Sequence, residues 1–154
     1  MIVRSGRAAD RTRVTSIGFA AMRGFGIAPD PLNIDRDLAT FGDQAPHKLV
    51  ELVAELDGEV IGSILASKKD LHTAKITGFY VAEDVRGAGA GRRLLSYAIE
   101  ACKREGCAQI LLTTHVHMQA AMRLYEQAGF TQTGSESEDG NDYVHFSLAL
   151  GPVS

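Results

Sequence analysis

A glycine-rich run in the middle of the sequence is suited to holding an anion. Its residues alternate small side chains between two arginines: Arg86, Gly87, Ala88, Gly89, Ala90, Gly91 and Arg92. Glycine lets the backbone turn sharply and leaves no Cβ in the way of a ligand. A helical leucine pattern follows, and the first amides of a helix attract negative charge. The run therefore predicts a phosphate-binding turn, although a tight turn for helix–sheet packing would use the same residue types.

The glycine run does not fit either of the two common nucleotide-binding motifs. A Walker loop needs Gly-Lys followed by Ser or Thr, whereas Gly91 precedes Arg92 and Arg93. A dinucleotide motif that begins at Gly87 would need its third glycine where Arg92 stands. The next strand, "QILLTTH", also lacks the acidic residue that binds the ribose. The phosphate ligand is therefore expected to be neither ATP nor a dinucleotide.

Other residues with reactive side chains are predicted to have structural or solvated roles. Cys102 and Cys107 do not form a CxxC pair, and we expect both thiols to be reduced and buried. His115 and His117 form an HxH pair without a third ligand nearby in sequence, so no metal site is predicted. The acidic segment 135–142 is expected to be a solvated hairpin tip. If it overhung a binding site, it would attract cationic amines.

Length, composition and charge narrow the class of protein. The 154 residues are 45% hydrophobic and 23% charged, which predicts one globular domain over residues 1–154. A net charge of -3 argues against a nucleic-acid partner, which would need a basic surface. No apolar run is long enough to cross a membrane, and the N-terminal residues lack the apolar region of a signal peptide. We therefore expect a cytoplasmic protein with no membrane partner.

The elements that must position these residues follow from periodicity and turn signals. In chain order they are a strand at 2–5, helices at 8–24 and 30–42, a hairpin at 48–68, a strand at 73–81, a helix at 90–105, a strand at 109–114, a helix at 118–128 and strands at 130–134 and 142–150. Hairpins imply antiparallel pairing, and the strand–helix–strand unit around the glycines implies one parallel pair. The prediction is an α/β fold with a mostly antiparallel mixed sheet and helices on both faces.

Two linked motifs resemble those of the GNAT superfamily of acetyl-CoA-dependent N-acetyltransferases. The first is Arg-x-x-Gly-x-Gly/Ala at 86–91, which follows a strand ending in "FYVAEDV". The second is "AMRLYEQAGF" at 121–130, a helix that carries Leu-Tyr-Glu and ends in Gly-Phe. One helix and one strand separate them, as in that family. The resemblance covers nearly the whole chain and implies an acyltransferase of GNAT-like fold.

The resemblance implies how acetyl-CoA would bind as cosubstrate. The turn at 86–92 would hold the pyrophosphate, chiefly through the backbone amides of its glycines and of Arg92. The pantetheine arm would lie along Phe79, Tyr80 and Val81 as a pseudo-strand. The Val81 N–H would polarise the thioester carbonyl as an amine attacks it directly. The acceptor would be an amine of a small molecule or a protein, and a homodimer is compatible with the family.

Catalytic roles are also implied, with two departures from the family pattern. Tyr125 matches the position of the proton donor to the departing thiolate, although a packing role beneath the pantetheine is the alternative. Met118 stands where an asparagine is often found, so it would give the pantetheine apolar contact only. Lys75 stands where many members carry a glutamate base.

The proton acceptor is therefore open between His72, His115, Tyr80 and an ordered water. A lysine is a poor base at neutral pH because it is charged there unless strongly desolvated. A non-catalytic acyl-CoA-binding or sensing domain of the same fold is the alternative function.

Overall fold

The computed structural model describes residues 1–24, 26, 36–85, 87–138 and 140–151. In this part of the chain the strands are β1 (Ile2–Ser5), β2 (Lys48–Leu56), β3 (Glu59–Asp70), β4 (Thr73–Val81), β5 (Gln109–His115), β6 (Thr131–Glu138) and β7 (Asn141–Ala149). The α-helices are α1 (Arg11–Gly24), α2 (Arg36–Ala39), α3 (Ala90–Arg104) and α4 (Gln119–Gln127). Short 3₁₀ turns at Ala8–Asp10 and Glu83–Val85 precede α1 and the glycine run.

The described strands form one mixed sheet in the order β1-β2-β3-β4-β5-β7-β6. Neighbouring strands are antiparallel except β4 and β5, which are parallel and connected through α3. The predicted hairpin is formed by β2 and β3, which meet at Asp57 and Gly58 with φ of 52° and 80°. The predicted fold class, with one parallel pair, is confirmed.

Helices cover both faces of the sheet, as the sequence pattern predicts. The α3 stripe, including Leu94 and Ala98, packs with Ile110 of β5 in one buried cluster. On the opposite face, Val14 of α1 and Leu38 of α2 belong to a second buried cluster. The sheet is therefore apolar on both faces where helices cover it.

Two predicted segments have other bounds in the structure. The strand predicted at 130–134 runs from Thr131 to Glu138, because alternating Ser and Glu can form an exposed edge strand paired on one side. The described residues of the acidic segment 135–142 are mostly exposed and lie at the end of the β6–β7 hairpin, as predicted. The predicted helix at 30–42 corresponds to α2 at Arg36–Ala39, while residues 27–35 lie outside the described residues.

No helix within the described ranges has the length and apolar character that a membrane span requires.

Strands β4 and β5 are paired over only part of their length. Their parallel ladder runs from Thr73 opposite Gln109 to Ile76 opposite Leu112. Beyond this point β4 continues to Val81 and β5 to His115 without pairing to each other. The sheet therefore opens into a split at the carboxyl ends of its two parallel strands.

A β-bulge in β4 sits at the start of this split. Gly78 has φ of +59°, and the β3–β4 register shifts between Leu65 opposite Thr77 and Ser63 opposite Tyr80. Two residues of β4 therefore lie opposite one residue of β3, which reverses the faces of the residues that follow. The hydroxyl of buried Ser63 donates a hydrogen bond to the Gly78 carbonyl at 2.7 Å.

The reversal decides which side chains face which helix layer. Phe79 and Val81 pack against the cluster on the α3 face, whereas Tyr80 packs against the cluster on the α1 face. Regular alternation without the bulge would place Phe79 on the same face as Thr77. The bulge therefore directs two apolar side chains of the split toward the glycine turn.

We predict that Gly78→Ala lowers the free energy of unfolding by about 1–3 kcal/mol, measured by chemical denaturation. An alanine Cβ would lie 2.3 Å from Leu65 Cδ1 and would share the unfavourable positive φ. Gly58→Ala is the control, because Gly58 has φ of +80° with no atom within 4 Å of the added Cβ. If both variants lost the same free energy of unfolding, the loss at Gly78 would come from its positive φ alone and not from contact with Leu65.

Candidate active site

The glycine turn has the local geometry of an anion site at the start of α3. Gly87 and Gly89 have φ of 95° and 83°, a region that side-chain-bearing residues rarely adopt. Gly89 is the N-cap of α3, and no side chain caps this helix end. Among the described residues no side chain therefore caps the first-turn amides, and they can bind a negative group. Arg86 lies outside the described residues.

Gly91 is needed for a different reason. It has ordinary helical geometry, but an added Cβ would lie 3.0 Å from Leu124 Cδ1 and 3.5 Å from Phe79 Cζ. The absence of a side chain lets the first turn of α3 approach α4 and β4 closely. The three glycines therefore serve two purposes, backbone turning at Gly87 and Gly89 and close packing at Gly91.

A groove of about 500 Å³ runs from this turn along the end of β4 to the side of α4. The predicted binding residues that line it are Phe79, Tyr80, Val81, Gly87, Gly89, Ala90, Gly91, Arg92 and Met118. Ala21, Val85, Ala120, Ala121 and Leu124 complete its walls. Ala88 belongs to the turn but does not line the groove. The structure thus brings together, in this apolar groove, nearly all of the predicted binding residues that lie in the described part of the chain.

The backbone of β4 exposes hydrogen-bonding groups along this groove. The Ala82 N–H donates to the Ile61 carbonyl of β3 at 2.8 Å. Because successive residues of a strand direct their amides to opposite sides, the Val81 N–H points away from β3. It therefore faces the split, where β5 no longer pairs with β4.

Tyr125 lies beneath the split on the inner side of α4. Its side chain is 4% exposed and is packed by the rings of Phe79, Phe130 and Phe146 at centroid distances of 5.7–5.9 Å. Burial, with a smaller effect of nearby Tyr80, raises the pKa of the Tyr125 hydroxyl well above its ordinary value. The phenol therefore stays protonated at neutral pH, the state that a proton donor requires.

A second cavity, of about 390 Å³, lies on the other side of the split. It shares Phe79, Tyr80 and Met118 with the groove, so the two spaces adjoin along these residues. Its further lining residues include Lys75, Thr77, Gly78, Thr113, Thr114, His115, Tyr125 and Tyr143. Met118 accepts a hydrogen bond from Thr114 through its sulfur at 3.6 Å. The arrangement can hold two molecules whose reacting ends meet at the shared wall.

Acidic side chains from separate elements border this second cavity. Asp37 of α2 and Glu136 and Glu138 of β6 line it together with Lys75. Asp37 Oδ2 accepts a hydrogen bond from the Thr77 hydroxyl at 2.7 Å. Sequence reasoning did not identify Asp37 or Thr77, because they are 40 positions apart in the chain. The acidic residues of the 135–142 segment do reach the site, although as strand residues.

The proton-acceptor candidates are placed differently. His72 lies in the turn before β4, at the opposite end of that strand from Val81, and lines neither cavity. Buried His115 lines the second cavity, and its Nδ1 accepts a hydrogen bond from the His117 amide at 3.2 Å. The neutral ring therefore carries its proton on Nε2, which lies 3.3 Å from Asn141 Oδ1. With that lone pair already occupied, His115 is poorly arranged to accept a proton from a substrate.

The remaining reactive groups do not form a separate centre. The rings of His115 and His117 are 4.8 Å apart, and the described residues contain no cluster of three or more potential metal ligands. Cys102 and Cys107 are both buried and free, as predicted. Desolvation raises the pKa of Cys102 to about 12, so its thiol is a poor nucleophile. Neither cysteine lines the groove or the second cavity.

Comparison with known proteins matches this chain to acetyltransferases. The family model described as the acetyltransferase (GNAT) family matches residues 16–130. The acetyltransferase Atu2258 of Agrobacterium fabrum is 32% identical over 110 residues, which cover 69% of this chain and 74% of that protein. The N-acetyltransferase YhfO of Bacillus subtilis is 32% identical over 107 residues, or 66% of this chain and 67% of the relative.

A solved structure shows the same fold. The YncA acetyltransferase of Salmonella typhimurium, determined with its cofactor acetyl-CoA, superposes with a TM-score of 0.79 at 24% identity. The match covers 100% of this chain and 96% of that one. The family match spans the glycine turn, the split between β4 and β5, and α4 with Tyr125. This chain is therefore a member of the GNAT family of acetyltransferases.

Proposed function

We propose that this protein transfers the acetyl group of acetyl-CoA to a primary amine, and that the amine attacks the thioester directly. The observation that carries this proposal is the pair of cavities that adjoin along Phe79, Tyr80 and Met118 at the split. One cavity begins at an anion-binding turn, and the other is lined by polar and acidic residues. Such an arrangement suits a reaction in which two substrates are bound at once and brought together.

Acetyl-CoA would occupy the groove that begins at the glycine turn. The pyrophosphate would bind the amides at the start of α3, with Arg92 adding positive charge at the groove wall. The pantetheine would follow β4 toward the split and use the strand edge that β5 leaves unpaired. Apolar lining from Phe79, Ala121 and Leu124 would pack against the pantetheine arm there.

The reacting carbonyl would lie beside the Val81 amide. Attack by the amine turns the thioester carbonyl into an oxyanion, and a backbone N–H fixed in the split would stabilise that charge. The C–S bond then breaks, and the sulfur leaves as a thiolate. Tyr125, buried and protonated, is the group positioned beneath the split to donate to that sulfur.

The acceptor would enter through the second cavity. This space is lined by three carboxylates, Asp37, Glu136 and Glu138, and by one lysine. Its electrostatic potential therefore favours a cationic amine over an anionic molecule. The reacting nitrogen must lose its proton before or during attack, because an ammonium ion has no lone pair. Lys75 lines the cavity, but a charged lysine cannot accept that proton.

We predict that Gly89→Ala weakens acetyl-CoA binding about tenfold or more, measured by isothermal titration calorimetry. The added methyl group would disturb the amides that face the pyrophosphate. Gly106→Ala is a matched control, because Gly106 has φ of +80° against +83° for Gly89, and both have open space around an added Cβ. Equal affinity of both variants for acetyl-CoA would contradict the assignment of the turn.

We predict that Tyr125→Phe lowers kcat by about 10- to 1000-fold while changing acetyl-CoA affinity by no more than about twofold. The substitution keeps the buried ring and removes only the hydroxyl, which acts when the C–S bond breaks. Tyr97→Phe is the control, because Tyr97 is 47% exposed and lines neither cavity.

Normal turnover of the Tyr125→Phe enzyme would assign that residue to packing alone. Tight binding of acetyl-CoA by the parent protein, without acetylation of any amine in a broad panel, would support a sensing domain instead.

A further inference from the structure

Three polar side chains from three neighbouring strands lie in a row beside the second cavity. Thr113 Oγ1 of β5 lies 2.8 Å from His145 Nδ1 of β7. His145 Nε2 lies 3.1 Å from Glu136 Oε1 of β6. Thr113 and His145 are direct cross-strand partners, and Glu136 lies two positions along β6 from Gly134, the partner of His145. Sequence reasoning singled out neither Thr113 nor His145.

The partners of the imidazole decide which nitrogen carries the proton. A carboxylate oxygen cannot donate, so the Glu136 carboxylate, 3.1 Å from Nε2, favours the neutral tautomer of His145 that carries its proton on Nε2. His145 Nδ1 is then the acceptor, and the Thr113 hydroxyl donates its hydrogen to it. The lone pairs of Thr113 Oγ1 remain for a third group, and Thr113 is exposed to the second cavity.

Thr113 lies at the point where the split between β4 and β5 begins. The β4–β5 ladder ends with Ile76 opposite Leu112, so Thr113 is the first residue of β5 beyond it. Thr77 and Gly78, the first residues of β4 beyond the ladder, line the same cavity as Thr113 and Tyr125. The Thr113 hydroxyl therefore lies at the base of the split and borders the second cavity.

We propose that Thr113, His145 and Glu136 form a proton relay that receives the proton lost by the attacking amine; this inference rests on the proposed function. The amine nitrogen bonds to the thioester carbon and becomes positively charged. Its N–H proton passes through a water molecule in the second cavity to Thr113 Oγ1, while the hydroxyl proton of Thr113 passes to His145 Nδ1. Glu136 stabilises the resulting imidazolium, and Thr113 remains a neutral hydroxyl throughout.

The relay is better arranged to accept a proton than the other groups around the second cavity. Imidazole is the side chain whose ordinary titration lies nearest neutral pH, as an acid–base catalyst requires. His115 uses its acceptor nitrogen for the His117 amide. Asp37 accepts a hydrogen bond from the Thr77 hydroxyl, and a carboxylate is ordinarily a weaker base than an imidazole. Besides Glu136, the titratable groups near His145 are His115 on β5 and Tyr143 on β7, two positions along the same strand.

The test compares kcat/KM across pH 6–9 for the full-length protein, with acetyl-CoA and an amine found by screening. We expect His145→Gln to lower kcat/KM by about 10²-fold or more and to remove the activity limb that rises as the base loses its proton. Thr113→Val should lower kcat/KM by about 10- to 100-fold, and Glu136→Gln by a smaller factor. Thr131→Val is the matched control for Thr113→Val, because Thr131 is exposed on β6 and lines neither cavity.

A second measurement reads the relay without turnover. Nitrogen-15 NMR of histidine-labelled protein at pH 8 should show His145 with its proton on Nε2. A proton on Nδ1 would overturn the relay whatever the kinetics. Acetylation of Thr113, detected as a mass increase of the protein after incubation with acetyl-CoA, would also overturn the relay, because the hydroxyl would then be a nucleophile.

The kinetic outcomes separate the relay from the proposed function. Unimpaired kcat/KM of His145→Gln in an active enzyme overturns the relay alone. Loss of the pH limb in Asp37→Asn but not in His145→Gln would make Asp37 the base and overturn the relay. Failure of the parent protein to acetylate any amine would overturn the proposed function, and the relay with it.

Discussion

Beyond Ile76 and Leu112, β4 and β5 no longer exchange hydrogen bonds, and the whole site is arranged around the gap that results. A strand edge buried without partners would be costly, because its amides and carbonyls lose hydrogen bonds to water. The edge of β4 is tolerable where it lines a groove open to solvent or ligand. The same unpaired groups that weaken the sheet therefore become the groups that can bind an extended chain.

The bulge at Gly78 links this gap to the helix layers. It reverses the alternation of side chains along β4, so that Phe79 and Val81 lie on the α3 face while Thr77 lines the second cavity. One strand therefore supplies walls to both cavities. The Ser63 hydroxyl compensates the carbonyl that the bulge removes from the ladder, so the irregularity is a stable part of the core.

The parts of the fold that were predictable from sequence depend on local signals. Periodicity located α1, α3 and α4, and Asp57-Gly58 located the first hairpin, because each signal lies within a few residues of the structure it specifies. The bulge was not predicted, since Gly78 reads equally well as an ordinary strand residue until the register of β3 is known. The hydrogen bond between Asp37 and Thr77 joins residues 40 positions apart, which no local pattern reveals.

The contrast between local signals and contacts distant in the chain also explains why the groove was easier to predict than the second cavity. The groove uses backbone amides and glycine conformations, and these are encoded by a contiguous run at the start of α3. The second cavity is lined by side chains from β5, β6 and β7, whose meeting depends on strand order and register. A charged lysine is a poor base, so the proton acceptor proposed above comes from a strand other than the one that carries Lys75. The proposed role of His145 depends on its cross-strand pair with Thr113, and such a pair is fixed only once the whole sheet has formed.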